Sequence, residues 1–384
     1  ALEELPPAPS DGLTSEIAIE DASGRALDPL HRALARAARG EAIARLVFYG
    51  GSHTASDHYT GPIRRTLQRH FGDAGRGFVI AVPPITSYWQ FGARVAEADG
   101  WTVITPSSKR MGVEAYGLVG MAFEAREEAW AEVATDGSRA SRVEVMYLRQ
   151  PGGGRLEISV DGVPRTVSTA SEGVEAAVDV VAVPDTEHRV ELRADRGGAP
   201  VRVFGVVLER AGPGVIVDQL AIVGSKARHQ LLWQEDVWLA LLQTRRPDLL
   251  SLSYGNNELG DRHLTREQHE AHFVAMLARL RQHFPEAACL VIGPADRQQR
   301  AGARWRSPSE LAFFVEMQRR VAAAHGCAFF DVLAWQGGPG AIERWLVADP
   351  PLAREDRVHL TEVGYRRLGH ALLRAMLAPM ASAR

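Results

Sequence analysis

A serine followed by a histidine, and an aspartate three residues before another histidine, stand near opposite ends of this 384-residue chain. The first pair lies in Tyr49-Gly-Gly-Ser-His-Thr54 and the second in Asp356-Arg-Val-His359. A hydroxyl, an imidazole and a carboxylate are the parts of an acyl-transfer site. The imidazole takes the serine proton as the hydroxyl attacks a carbonyl, and the carboxylate fixes the ring tautomer. At Asp-x-x-His spacing the carboxylate can accept from Nδ1–H and leave Nε2 as the base. Two further segments carry hydrogen-bond donors. Gly224 ends an apolar run with a backbone N–H, and Tyr254-Gly-Asn-Asn-Glu258 offers the Asn257 amide beside a glycine that permits close approach. Each segment alone has a plainer reading: Ser52 as a helix cap, Asn257 as a turn residue, Asp-x-x-His as coincidence.

The elements around these residues give them a common edge. Ile43 to Tyr49 (IARLVFY) is a short apolar run stopped by Gly50-Gly51, as expected of a buried parallel strand. A helical stripe with Leu30, Ala33 and Leu34 precedes it, and a helix with Ile63, Leu67 and Phe71 in phase follows it. Ser52 then sits on the turn into that helix, where backbone N–H groups are free to meet an anion. From Val215 the alternation continues. VIVDQLAIVG, DLLSLSYG, CLVIGPAD and CAFFDVL read as strands, and 226–243, 265–283, 308–325 and 361–377 as helices. Such alternation predicts an α/β doubly wound parallel sheet, whose ligands collect beyond the carboxyl ends of its strands. Between Trp101 and Ala211 the pattern is different. Val143–Leu148, Leu156–Val160, Arg189–Leu192 and Val201–Phe204 are short strands, with Asp161-Gly162 as a hairpin signal and no helix between them. The expected organisation is a flexible N-terminal tether over 1–27, an α/β domain made of 28–100 and 212–384, and an inserted β-sandwich over 101–211.

Four blocks in this order resemble the SGNH (GDSL-type) hydrolase family: Gly50-Gly-Ser52, Gly224, Gly255-Asn-Asn257 and Asp356-x-x-His359. The resemblance covers about Ala44–Phe91 and Val215–Leu377. It implies a flavodoxin-like sheet and a serine esterase without cofactor or metal. Ser52, His359 and Asp356 would be the catalytic residues, with the Ser52 and Gly224 N–H groups and the Asn257 amide as oxyanion hole. GGSHTASDHYTGPIRRTLQRHFGDAGRGF also looks like the longer first block of bacterial cell-envelope members. In that group, esterases that remove O-acetyl groups from peptidoglycan carry a β-sandwich like a carbohydrate-binding module at this point of the chain. The implied partner is an O-acetylated envelope polysaccharide, and the implied location is periplasmic or extracellular. An acetyltransferase with the same triad, or a non-catalytic glycan binder, would show the same blocks. There are two departures: Gly51 stands where the family usually has Asp, which weakens the expected bracing of the serine turn, and Val223 stands where Asn is common.

Other residues are expected at the rim or in structural roles. His53, Trp89 (in PPITSYWQFG) and Trp335 (in LAWQGGPG) are candidate substrate contacts. His263, His269 and His272 suggest a solvated helical face rather than a metal site, and His58 flanks the serine block. Cys289 and Cys327 open two strands; buried free thiols are the first expectation, while a bridge would favour an oxidising compartment. Lys+Arg 44 against Asp+Glu 47 leaves a net charge of −3, which gives polyanionic nucleic acid no general attraction. No apolar run approaches the roughly 20 residues of a membrane span. The Pro- and Ser-rich start, ALEELPPAPSDGLTSE, reads as a tether, either one that follows a signal peptide or lipid anchor upstream or the flexible end of a cytoplasmic protein.

Overall fold

In the computed structural model, which describes residues 9–84, 88–106, 112–195 and 197–382, strand Ile43–Gly50 lies second in a five-stranded sheet. Its neighbours are Gly214–Ala221 on one side and Leu249–Ser253 on the other, followed by Ala288–Ile292 and Ala328–Phe330, all parallel. Numbered along the chain, the order is 2-1-3-4-5. This is the flavodoxin-like arrangement, with its switch point between the first and third strands. The serine block leaves the first of these strands and Asn257 follows the third.

The alternation of side chains along Ile43–Gly50 supplies two cores at once. Leu46 and Phe48 face one apolar cluster with Leu30 and Leu34 of helix Asp28–Ala38, Ile63 and Leu67 of helix Thr60–Phe71, and Leu372 and Leu373 of helix Glu362–Ser382. Val47 and Tyr49 face the other, with Leu241, Leu277 and Val321 of helices Glu235–Arg245, Arg266–His283 and Leu311–Ala324. Both sheet faces are covered, as an all-parallel sheet requires.

Two antiparallel sheets form the second body. One holds six strands, with Ala140–Arg149 between Glu175–Thr186 and Val201–Glu209; the other runs Ala93–Asp99, Ala129–Thr135, Arg189–Ala194, Arg155–Val160, Val163–Ser168. These sheets begin earlier than residue 101. Gly75–Val79 pairs with Val201–Glu209, and Ala93–Asp99 pairs with Ala129–Thr135, so the chain leaves the α/β layer after Asp73, which still bridges to Val215. The bodies share a buried ion network. Arg245 donates to Asp218 and reaches Glu209, Arg45 donates to Glu209, and Asp218 also accepts from Phe78 N–H. Burial pushes the Glu209 carboxyl up, but Arg245 and Arg45 outweigh it and hold it at about 2.

Residues 11–27 are not a free tether; 1–8 lie outside the described residues. Glu20 exchanges two 2.8 Å backbone hydrogen bonds with Phe329, giving the edge strand Ala328–Phe330 a partner. Leu13 O accepts from the Trp345 indole, Asp11 pairs with Arg367, and Ile17 and Ile19 pack on the core. The two cysteines are not free thiols either. Cys289 and Cys327 stand side by side on adjacent strands, Cα–Cα 4.6 Å, joined by a disulfide. Among the described residues no helix is long and apolar enough to cross a membrane.

Candidate active site

Asp356 organises its own loop before it meets anything distant. Its Oδ1 accepts from Val358 N–H and His359 N–H, both at 2.9 Å, and its Oδ2 accepts from His359 Nδ1–H at 2.7 Å. A carboxylate has no proton to give, so Nδ1 carries the hydrogen and Nε2 is left as acceptor. The loop is closed by an antiparallel bridge between Ala353 and Leu360, with Arg354 N–H donating to His359 O at 2.8 Å and Arg357 at φ 57°. Burial pushes the Asp356 carboxyl up, but the bonds from His359 and Val358 outweigh it and keep it below the usual carboxylate range.

Across 307 residues of sequence, His359 Nε2 accepts from the Ser52 hydroxyl at 2.8 Å. Ser52 opens a one-turn helix, Ser52–Ala55, at the carboxyl end of its strand. This turn lacks the acidic brace expected at position 51 and is held by other means. Gly51 O accepts from Thr54 N–H and Ala55 N–H, Thr54 O accepts from Gln219 Nε2, and Gly50 O accepts from Ile222 N–H. Gly51 has an ordinary extended conformation, φ −94° and ψ −150°, so its value lies in close approach. A Cβ there would lie 2.7 Å from Asn257 Nδ2. Without a side chain at 51, the Asn257 amide rests directly against the serine turn.

Donors surround that turn. Asn257 Nδ2 gives one hydrogen to Ser225 O at 2.9 Å and keeps a second. Ser225 N–H donates to Ile222 O, closing a tight turn with Gly224 at φ 78°. That φ suits glycine and turns the Gly224 N–H away from the turn's own bond. The N–H groups of Ser52 and Gly224 have no acceptor among the described residues. Val223, where Asn is common in the family, is 45% exposed and takes no part.

Sequence reading overlooked two residues here, Glu258 and Tyr365; Tyr88, beside Trp89 in PPITSYWQFG, is expected from the sequence to border the site. Glu258 is buried and accepts from Gly255 N–H at 2.9 Å and Ala227 N–H at 2.7 Å, fastening the Gly224 turn to the Asn257 turn. Burial raises its carboxyl above the usual range despite these bonds. The signal was its position directly after Asn257. Tyr365, six residues after His359 on the last helix, bonds to His53 Nδ1 at 2.9 Å. Tyr88, with its hydroxyl on Ala221 O at 2.9 Å, steadies the strand that leads to Gly224.

The three candidate contacts fare differently. Trp335 is not at the rim. It is 3% exposed, packs edge-on against Trp345 at 5.3 Å, and borders a cavity with Ile17, Leu27 and His31 instead of the Ser52 groove. His53 is not turned to a ligand either. Its ring lies 5.3 Å from that of His359, Nδ1 is taken by Tyr365, and Nε2 is buried. Burial first, then the neighbouring His359 and Arg297, depress it to about 3, so it is neutral at any working pH. Trp89 is half exposed and lies 6.3 Å from His58, which stacks on Tyr365; residues 85–87 of its loop lie outside the described residues. His269 is buried under Phe314 rather than solvated, because its helix packs that side against Leu311–Ala324. Among the described residues no group of three or more His, Cys, Asp or Glu is placed to hold a metal.

Comparisons with known proteins bear on the family and the fold. Residues 183–367 match the GDSL-like Lipase/Acylhydrolase family, a span that holds Gly224, Asn257, Asp356 and His359 but not Ser52. No curated protein matches the sequence. A solved peptidoglycan O-acetylesterase superposes with a TM-score of 0.76 at 24% identity, covering 92% of this chain and 96% of its own. An acetyl-xylooligosaccharide esterase from Geobacillus stearothermophilus gives 0.34 at 18% identity, covering 43% and 73%. A family two carbohydrate esterase from Cellvibrio japonicus gives 0.30 at 10%, covering 80% and 98%. Only a score of the first size bears on the fold.

Proposed function

We propose, from the premise that this chain is a GDSL-like (SGNH) acylhydrolase, that it is a serine esterase removing O-acetyl groups from a cell-envelope polysaccharide, peptidoglycan before others. The observation that carries the reading is the unbroken line Ser52 Oγ, His359, Asp356, at 2.8 and 2.7 Å. Ser52 attacks the acetyl carbonyl as its proton passes to His359 Nε2. Asp356 keeps the ring oriented and stabilises the imidazolium. The oxyanion is met by the N–H groups of Ser52 and Gly224 and by the spare Asn257 N–H. One such donor is worth about 3 kcal/mol of barrier. His359 then returns the proton to the departing sugar oxygen. Water, activated by the same imidazole, cleaves the acetyl-enzyme. His53, neutral and wedged between His359 and Tyr365, positions the base without titrating.

Two observations favour an envelope glycan as substrate. The fold likeness to a peptidoglycan O-acetylesterase extends over 92% of the chain, antiparallel sheets included, and we assign those sheets to holding the polymer. The Cys289–Cys327 bridge suits a periplasmic or extracellular setting. The test is acetate release from purified O-acetylated peptidoglycan, with and without a glycan acceptor, by wild type and Ser52→Ala. Turnover abolished by Ser52→Ala is expected. Full activity in that variant refutes the mechanism, and acetate appearing on the acceptor instead of in solution makes the protein a transferase.

A further inference from the structure

The hairpin Gln299–Ala301/Arg304–Arg306 rises beyond the carboxyl end of strand Ala288–Ile292, on the same sheet edge as Ser52. It is stitched to the histidine loop: Gln298 N–H donates to Arg357 O at 2.9 Å, and Arg357 donates to Gln298 Oε1 at 2.5 Å. Arg300 and Trp305 face each other across the hairpin, so their side chains share a face, while Arg304 and Arg306 alternate to the other. There the Trp305 ring packs against two guanidinium groups, Arg300 at 4.8 Å and Arg357 at 4.9 Å. Arg297, at the foot of the hairpin, donates to Asn256 O at 2.8 Å and thereby reaches the Asn257 turn. Its Nε is buried without an acceptor.

Counter-ions are sparse around these cations. Most arginines elsewhere on the chain, such as Arg45, Arg64, Arg202 and Arg245, sit on carboxylates. Arg297 and Arg300 have none within ion-pair distance among the described residues. Of the nearby acids, Asp356 is occupied by His359, and Glu343 reaches Arg357 only at 3.9 Å. A chain of net charge −3 thus places the exposed guanidinium of Arg300, a planar fork without an ion-pair partner, on the same sheet edge as its base.

We propose that this arginine–tryptophan rim recognises a carboxylate on the polymer that carries the ester, so that the enzyme acts on acidic glycans in preference to neutral ones. The inference rests on the esterase reading above. Trp305 holds the guanidinium planes of Arg300 and Arg357, Arg300 presents its free N–H edge to the anion, and Arg297 adds positive charge behind it. The carboxylate belongs to a peptide attached to the glycan or to the sugar itself.

The experiment compares kcat/KM of wild type and Arg300→Gln on four substrates: O-acetylated peptidoglycan, the same material with its carboxylates amidated, acetylated pectin as a uronate polymer, and acetylated xylan as a neutral one. Wild type is expected to lose about tenfold on amidation, a loss that grows smaller as salt is added. Arg300→Gln is expected to lower the ratio of peptidoglycan to xylan activity by a similar factor, through KM. A loss on peptidoglycan alone places the carboxylate on the peptide, and a loss shared with pectin places it on the sugar. Equal activity before and after amidation, or an Arg300→Gln defect of equal size on xylan, overturns the proposal. Co-sedimentation of Ser52→Ala with amidated and untreated peptidoglycan repeats the test without turnover. Absence of turnover on every ester in wild type would overturn the esterase reading instead, and binding indifferent to amidation would overturn this one.

Discussion

Replacing Gly51 with alanine is expected to disable the site while leaving the fold intact. The backbone at 51 is extended, so alanine adopts it without strain. The new Cβ, however, would stand 2.7 Å from Asn257 Nδ2, where ordinary contact begins at 3.4 Å. The amide must therefore retreat by about 0.7 Å, pulling its spare N–H away from the developing oxyanion. A misplacement of about 1 Å costs on the order of 10²-fold in rate. Deleting a donor outright costs about 10²–10³-fold in kcat. Gly51→Ala should then lower kcat between about 10-fold and about 10²-fold, with KM little changed. Steady-state hydrolysis of an aryl acetate measures this, and thermal unfolding checks the fold. Asn257→Ala supplies the control. With the amide gone there is nothing to displace, so Gly51→Ala should cost little in that background, and the two changes should be far from additive. Wild-type turnover in Gly51→Ala, or the same fold-loss with and without Asn257, would refute the argument that glycine is here for close approach.

Two further outcomes follow from buried groups away from the reaction. Asp57 is fully buried; burial pushes its carboxyl up, but Arg64, Arg76 and Thr60 outweigh this and hold it below its ordinary value. The folded state thus binds that proton less readily than the unfolded chain. The resulting stability is present above about pH 4 and is lost as pH falls through the folded value. Asp57→Asn should cost about 3–5 kcal/mol at neutral pH and flatten the acid limb of stability against pH, which denaturant melts would follow. An acid limb as steep as that of wild type would contradict this assignment. Reducing Cys289–Cys327 opens a loop of 38 residues, worth about 4 kcal/mol of chain entropy, so the denaturant midpoint should fall under reducing conditions. An unmoved midpoint would argue that no bridge forms.

What the sequence settled by itself was local. Strand runs such as IARLVFY, the helix stripes and the glycine stops depend on neighbours a few residues apart, and so does the Asp356–His359 pair, whose hydrogen bonds all fall within its own loop. Order along the chain was also enough to place Ser52, Gly224 and Asn257 at strand ends, because parallel strands joined by helices leave all their carboxyl ends on one edge. Contacts between distant segments were decided only by the folded chain. The 2.8 Å bond from Ser52 to His359 is one. The 11–27 segment becoming an edge partner for Phe329 is another, since nothing in its own composition reveals an unpaired strand elsewhere. Trp335 sank into the core and His53 turned under the base for the same reason. An aromatic or imidazole near a site block faces the ligand or the interior according to what packs behind it, here Trp345 and Tyr365. Gly51 shows the division most clearly: the sequence records a missing carboxylate, and only the Asn257 amide lying against that position explains why no side chain fits.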